Sequence, residues 1–396
     1  MLTADVLVIG LGAVGSATLR HAAQVSARVI GIDRFSPPHE RGSSHGDTRI
    51  TRQAIGEGRE YVPLALRSHE IWEELEAATG RSLLTRCGCL IVSSPGVPGH
   101  HHGSTSFLQD TIDAAGEFGI AHEVLSTGEI QRRYPQFRLR GDELGYFELG
   151  AGFLRPEACI RAQLDSARQA GATIRTDEVV SQITPSASGA VEVRTDKRTY
   201  SAGRVIVAAG AWMGKLLGDD YAGLFKVYRQ TMCWFALATN RERYAPGVFP
   251  VFIWITGNQP EDMLYGFPAI DGPDGGIKVA GEQYENTVDP DTVSRIATEA
   301  DVSALYSEYL TPRFPDLSGT CLRTSTCFYT VTPNARFIIE QLSGNQNVWF
   351  ASACSGHGFK HSAAIGEALA DLALGQTPKV DLSTFRRPSR EVSGSH

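Results

Sequence analysis

Asp5-Val6-Leu7-Val8-Ile9-Gly10-Leu11-Gly12-Ala13-Val14-Gly15 opens the stretch on which the fold turns. A helical segment to Gln24 and a second apolar run, Ala27 to Ile32, complete it and end at Asp33. The aliphatic run Val6 to Ile9 is the pattern of a parallel strand buried on both faces. It leads into a G-x-G-x-x-G turn, in which the glycines serve the tight turn, close approach of backbone to a pyrophosphate, and close packing of helix on strand. A helix opening at that point offers free N–H groups and its positive dipole end to phosphate oxygens. Asp33 follows at the distance from which an acid accepts a ribose hydroxyl. Strand, turn, helix, strand and acid in this order predict a dinucleotide site, with NAD and FAD equally open.

At 396 residues the chain is long for one core, and two domains are expected. Lys and Arg number 37 against 44 Asp and Glu, a formal charge of −7, which argues against nucleic acid or an anionic membrane surface as partner. No run approaches the apolar length of a membrane helix. Asp5, Gly10 and Gly12 break the first apolar run too early for a signal peptide, and Gly394-Ser395-His396 is no peroxisomal tripeptide. A cytoplasmic protein is expected. The seven cysteines are scattered through apolar segments with no C-x-x-C pair, which fits small buried hydrophobes better than disulfides or zinc.

Further along, Phe35 to Asp47 reads as a turn-rich loop before the polar-basic element Thr48 to Arg52 and the Gly56-Glu57-Gly58 turn. Helices are expected over Val62 to Thr79 with Gly80 as C-cap, around Thr105 to Glu117, over Pro156 to Ala170, and over Ala363 to Leu374. Strands are expected over Leu83 to Ser93, Val205 to Ala209 and Asn347 to Ala353. Residues 225–285, rich in aromatic and β-branched types, suit a sheet lining a pocket. The expected fold class is therefore α/β (α+β): a Rossmann-like nucleotide-binding domain over 1–82, 146–218 and 320–390. A discontinuous second domain on a mixed or antiparallel sheet takes 83–145 and 219–319.

Several segments in order, GSSHGDTRITR (42–52), RCGCLIV (86–92), MLYGFP (263–268), the lone Lys278, TCFYTVTPNARFII (326–339) and SGHGFK (355–360), carry a resemblance over essentially the whole chain. The sequence resembles the monomeric sarcosine oxidase and N-methyltryptophan oxidase family, within the D-amino-acid-oxidase-like flavoproteins. The resemblance implies FAD, with Cys327 as the thioether link to the flavin. Taken alone Cys327 reads as a buried structural cysteine. A link needs the thiolate, so a cation-rich surrounding that lowers the thiol's pKa is expected.

The resemblance also makes Arg52 and Lys360 the clamp on a substrate carboxylate, a planar fork beside a point charge. It makes Lys278 the cation that assists reoxidation by dioxygen, and places Arg49 against the flavin, giving a catalytic set of Lys278, Arg49, Arg52 and Lys360. Tyr265 and Tyr329 are implied to flank the substrate. The implied cofactor set is Gly10, Gly12, Ala13, Val14, Gly15, Asp33, Arg34, Ser44, His45, Thr48, Arg49, Val180, Gly210, Trp212, Cys327, Gly356, His357, Gly358, Phe359 and Lys360. One position departs: the family carries a histidine four residues after the lysine, where this chain has Glu282. Fructosyl-amino-acid oxidases have an acid there, so Glu282 favours a cationic or polyhydroxyl substituent on the substrate nitrogen over a bare methyl.

The tract His100-His101-His102 suggests a metal, but consecutive residues cannot easily all face one ion, and no metal is expected. The implied activity is oxidation of a secondary α-amino acid to an imine with dioxygen reduced to hydrogen peroxide, by a monomer. An Amadori oxidase is the alternative. An NAD-dependent dehydrogenase would have no use for Cys327 or the clamp, and a non-catalytic FAD-binding subunit is the remaining class.

Overall fold

The structure is a computed structural model, and it describes all residues except 95, 98–100, 187–188, 260–261 and 388–396. Strand Leu2–Ile9, helix Ala13–Val25 and strand Val29–Ile32 form the expected opening unit. Leu2–Ile9 pairs in parallel with Val29–Ile32 on one side and with Thr199–Val207 on the other. The far edge of Thr199–Val207 is shared: its beginning pairs antiparallel with Val191–Thr195, its end in parallel with Asn345–Ser352. Four parallel strands thus end at one edge, at Ile9, Ile32, Val207 and Ser352, which is where ligands enter sheets of this kind.

Glycine sets two of the spacings here. A Cβ at Gly15 would lie 1.7 Å from the Gly10 carbonyl oxygen, so the helix can approach the turn only without one. A Cβ at Gly366 would come 2.3 Å from the Ala17 methyl, where helix Ser362–Ala373 crosses helix Ala13–Val25. Leu19, fully buried on the same helix, locks it to the core. Truncation of such a leucine to alanine costs about 2–5 kcal/mol.

The second layer is an eight-stranded mixed sheet. Leu317–Val331 pairs antiparallel with Lys226–Leu237, and Ile277–Ala280, Met263–Phe267 and Val251–Ile255 follow in order. Cys89–Ser93 joins in parallel with Val251–Ile255, and Leu144–Glu148 and Glu123–Ser126 finish the sheet. A three-stranded sheet of Arg49–Thr51, Gly152–Leu154 and Leu84–Arg86 adds a further layer.

The helices over Val62–Thr79, Phe107–Glu117, Pro156–Gln169 and Ser362–Ala373 lie within two residues of their expected bounds, and Gly80 caps the first in a left-handed conformation at φ 67°. Three expectations need correction. Leu83 to Ser93 is not one strand but two, Leu84–Arg86 and Cys89–Ser93, in different sheets. Gly88, at φ 79°, turns the chain between them, where a Cβ would strike the Phe147 ring at 2.6 Å. The boundary expected at 319/320 cuts strand Leu317–Val331, which belongs to the second sheet because it pairs with Lys226–Leu237 along its length. The boundary at 145/146 likewise falls inside Leu144–Glu148, held to Cys89–Ser93 by backbone pairing.

Candidate active site

A cavity of about 450 Å³ runs from the carboxyl ends of the parallel strands toward the second sheet. Gly10, Gly12, Ala13, Val14 and Asp33 line it. Helix Ala13–Val25 has no side-chain cap, so its first N–H groups are left for a ligand. Asp33 accepts from the Leu11 and Phe35 amides at 2.7 and 2.8 Å, which fixes the carboxylate on the cavity wall. Arg34, Val180, Gly210 and Trp212 also line the cavity, and the Arg34 guanidinium lies 4.6 Å over the Trp212 ring. Ser44, Arg49, Gly356, Gly358 and Phe359 line it as well.

Gly15, His45, Thr48, Cys327, His357 and Lys360 are not on this wall. Gly15 is the packing contact already described. Thr48 Oγ1 and His45 Nε2 are buried without a partner among the described residues. Burial pushes the His45 imidazole down to about 3, with Arg49 acting in the same direction, so it is neutral. A long cavity, an uncapped helix end and a glycine cradle fit an extended dinucleotide such as FAD.

Cys327 is buried on Leu317–Val331 with Met232, Trp234, Ala280 and Tyr329. Cys321 packs behind the sheet, against the cluster of Cys233 and Phe235. A bulge between the residues facing Trp234 and Phe235 breaks the alternation that would have put both cysteines on one face. The expected depression of the Cys327 thiol is not found. Burial pushes its pKa up, and Arg49, Lys278 and Arg295 pull against that without reversing it.

Lys278 lines neither this cavity nor the smaller one beside it. Its Nζ donates to the carbonyls of Gly46 and Thr48 at 2.8 and 2.7 Å and sits 4.1 Å over the Phe267 ring. Arg49 donates to the carbonyls of Thr48 and Ser43 at 2.8 and 2.7 Å. Both side chains therefore organise the loop before strand Arg49–Thr51.

The smaller cavity, about 70 Å³, shares Arg49, Tyr329, Gly356 and Phe359 with the large one. Arg52 and Lys360 both line the smaller cavity. The pair already holds an anion. Arg52 Nη2 donates to Glu57 Oε2 at 2.5 Å, and Lys360 Nζ lies 3.7 Å from Glu57 Oε1. Burial would push the Glu57 carboxyl up, but Arg52 and Lys360, then His357, hold it well below the usual carboxylate range. Burial pulls Lys360 down to about 8, with Glu57 opposing. A second buried carboxylate, Glu148, accepts from the Gln53 and Ala54 amides at 2.7 and 3.2 Å and so fixes the turn that carries Arg52.

Tyr265 and Tyr329 face each other across the cavity with hydroxyls 3.4 Å apart. His357 stacks on Phe337 at 4.6 Å, and burial holds its pKa well below the usual range. Glu282 lies inside the same cavity, accepting from the Tyr284 hydroxyl at 2.8 Å, with His102 Nε2 3.1 Å from its other oxygen. Burial would raise the Glu282 carboxyl, but His102, His101 and the Tyr284 hydrogen bond hold it lowered.

Sequence reading missed Glu57 and Glu148 as site residues. For Glu57 a signal exists in its flanking glycine: a Cβ at Gly56 would come 2.3 Å from Thr111 Oγ1, so that turn must pack tightly. For Glu148, at the end of an apolar strand, the sequence holds no such mark.

A family model described as FAD dependent oxidoreductase (DAO) matches residues 5–372. The chain is 38% identical to a monomeric sarcosine oxidase of Streptomyces avermitilis, over 97% of each protein. It is 32% identical to an N-methyl-L-tryptophan oxidase of Salmonella typhimurium, over 96% of this chain and 98% of the relative. Among solved structures it resembles NikD, described as an unusual amino acid oxidase essential for nikkomycin biosynthesis, with a TM-score of 0.83 and 25% identity over all of both chains.

Proposed function

The chain belongs to the FAD dependent oxidoreductase family, and from that premise we propose that it oxidises a secondary α-amino acid, with dioxygen as acceptor and hydrogen peroxide as product. The observation that carries this reading is the meeting of Arg52 and Lys360 on the wall of a chamber that adjoins the dinucleotide cavity. Two buried cations, one a planar fork, suit a carboxylate. FAD, when bound, supplies the two-electron acceptor chemistry.

The protein's own groups then bind and orient. The substrate carboxylate displaces Glu57 and takes its place on Arg52, with Lys360 adding charge. Tyr265 and Tyr329 border the amine. Holding the substrate at both ends brings one C–H beside nitrogen to the shared wall, and such positioning supplies much of a rate enhancement of this kind. Departure of that hydrogen with the C–H bonding pair, which FAD would accept, lets the nitrogen lone pair form the C=N bond; loss of the N–H proton then gives the imine, which water hydrolyses. Neutral His357 and the Gly356–Gly358 backbone would support negative charge developing on the bound flavin. Cys327 is the residue that would tether the cofactor, and a cytoplasmic monomer is the expected form.

A second reading follows from Glu282. A buried carboxylate in the chamber, held by Tyr284 and His102, suits a polyhydroxyl or cationic substituent on nitrogen, as in a fructosyl amino acid. The test is peroxide release from a panel of N-methyl, cyclic and fructosyl amino acids. Turnover of the first two supports the main reading, and turnover of fructosyl compounds alone supports the second. Silence across the panel from a yellow, FAD-loaded protein would overturn both and leave a non-catalytic FAD-binding subunit.

A further inference from the structure

We propose that His101, His102 and Glu282 form a site for a borderline-soft divalent transition-metal cation, of which Zn²⁺ is the type. Each offers one ligand atom, and the three atoms lie within 4.8 Å of one another. His102 Nε2 stands 3.1 Å from one Glu282 oxygen, and His101 Nδ1 3.9 Å from the other. Ligands on a tetrahedral Zn²⁺ lie roughly 3.3 Å apart, given bonds of about 2.0–2.2 Å. The set is therefore close to closure on an ion with small side-chain rotations. All three side chains are 3% exposed.

A plain histidine–carboxylate pair accounts for only part of this arrangement. One imidazole satisfies one carboxylate oxygen, but His101 Nδ1 is buried with no hydrogen-bond partner among the described residues. Its ring centroid lies 3.9 Å from that of His102, a contact that disfavours protonating both rings. A cation between two neutral imidazoles and a carboxylate uses every one of these atoms. Two nitrogens and one oxygen select zinc-like ions over Mg²⁺ or Ca²⁺, which take oxygen ligands.

The surroundings hold the ligands in place. The Tyr284 hydroxyl donates to Glu282 at 2.8 Å, an outer contact of the kind that orients metal-binding carboxylates. His101 and Ser104 exchange backbone hydrogen bonds at 3.0 Å, closing a tight hairpin. His102 sits in that hairpin at φ 46°, an uncommon conformation for a residue with a side chain. Its ring rests on Gly356, where a Cβ would come 2.2 Å from it. Strain of this sort persists where surrounding structure enforces it. The expectation against a metal considered only neighbours in the histidine tract; the third ligand comes from the segment following strand Ile277–Ala280.

His101, His102 and Glu282 all line the small chamber, so an ion held by them would border it. A cation there and the substituent of a substrate would exclude each other, a consequence that rests on the substrate reading above, whereas binding of the ion does not.

The test uses the FAD-loaded protein, stripped with a chelator and titrated calorimetrically with ZnCl₂ and, separately, MgCl₂. One equivalent of Zn²⁺ should bind with micromolar affinity and Mg²⁺ should give no heat, with Zn²⁺ affinity at least tenfold weaker in both His102→Ala and Glu282→Gln. Zinc X-ray absorption on the unmodified protein should show two imidazole nitrogens, and it decides the matter alone if either variant loses its flavin or its fold. Absence of micromolar binding, undiminished affinity in both variants, or a zinc shell without imidazole would overturn the proposal.

Discussion

Arg52 Nη2 donates to Glu57 Oε2 across 2.5 Å, within one buried chamber. The group best shaped to hold a substrate carboxylate is therefore engaged by a carboxylate five residues along the chain. An incoming acid must exchange with Glu57, and its net affinity is the difference between two similar interactions. Glu57→Gln removes the competing charge while keeping most of the shape. We expect acetate to bind the variant about tenfold more tightly, a difference of about 1.4 kcal/mol, when followed by the change in flavin absorbance. Folding stability should fall by about 3–5 kcal/mol in denaturant, because two buried cations lose their anion. Unchanged or weaker acetate binding would show that Glu57 does not occupy the substrate's place.

Lys360 gives the clamp a pH dependence with a definite sign. Burial places its pKa at about 8, below the ordinary lysine value. Carboxylate binding needs the ammonium, so above that pH a proton must be taken up with the ligand. Each unit then costs about 1.4 kcal/mol. Acetate affinity should be level below pH 7 and fall about tenfold per unit above pH 8. In Lys360→Met the affinity should be lower at neutral pH and lack this limb. Persistence of the alkaline limb in the variant would assign it to another group.

The opening strand, glycine turn and helix were legible because each is a local signal: buried aliphatic run, fixed glycine spacing, uncapped helix end. Arg52, Lys360, Tyr265 and Tyr329 share one chamber. What could not be read was pairing between distant charges. That Glu57 would occupy the clamp depends on a turn packed against Phe107 and Thr111. That His101 and His102 would meet Glu282 depends on a hairpin resting on Gly356. The thiol of Cys327 shows a different limit, since a sequence lists nearby cations but cannot weigh them against complete burial.

Cys327 and Cys321 give opposite expectations for the flavin link. Cys327 packs with Tyr329, a residue of both cavity walls, whereas Cys321 faces the core behind the sheet. Flavin fluorescence should migrate with the denatured wild-type chain and the Cys321→Ser chain, and should be lost from Cys327→Ser. Because the buried thiol lies above its usual range, attachment to apoprotein supplied with FAD should quicken as pH rises. Fluorescence retained in Cys327→Ser would refute the link.

Lys278 acts from beneath residues 46–48, and this decides how its loss should be measured. Its Nζ holds two carbonyls, those of Gly46 and Thr48, on the loop that leads to Arg49. Lys278→Met strands both acceptors, at about 1–3 kcal/mol each if they stay buried, so a fall in turnover alone would say nothing about oxygen. Stopped-flow separation of the half-reactions does. If the amine supplies positive charge to oxygen reduction, reoxidation should slow by at least a hundredfold while anaerobic reduction by substrate changes less than about threefold. Burial, with Arg49 acting in the same direction, pushes the lysine well below its usual pKa against Asp47 and Glu157, so if the ammonium is the active form reoxidation should also slow with rising pH in the wild type and lose that dependence in the variant. Equal slowing of both half-reactions, with no change in pH profile, would assign Lys278 to holding the loop and not to the chemistry.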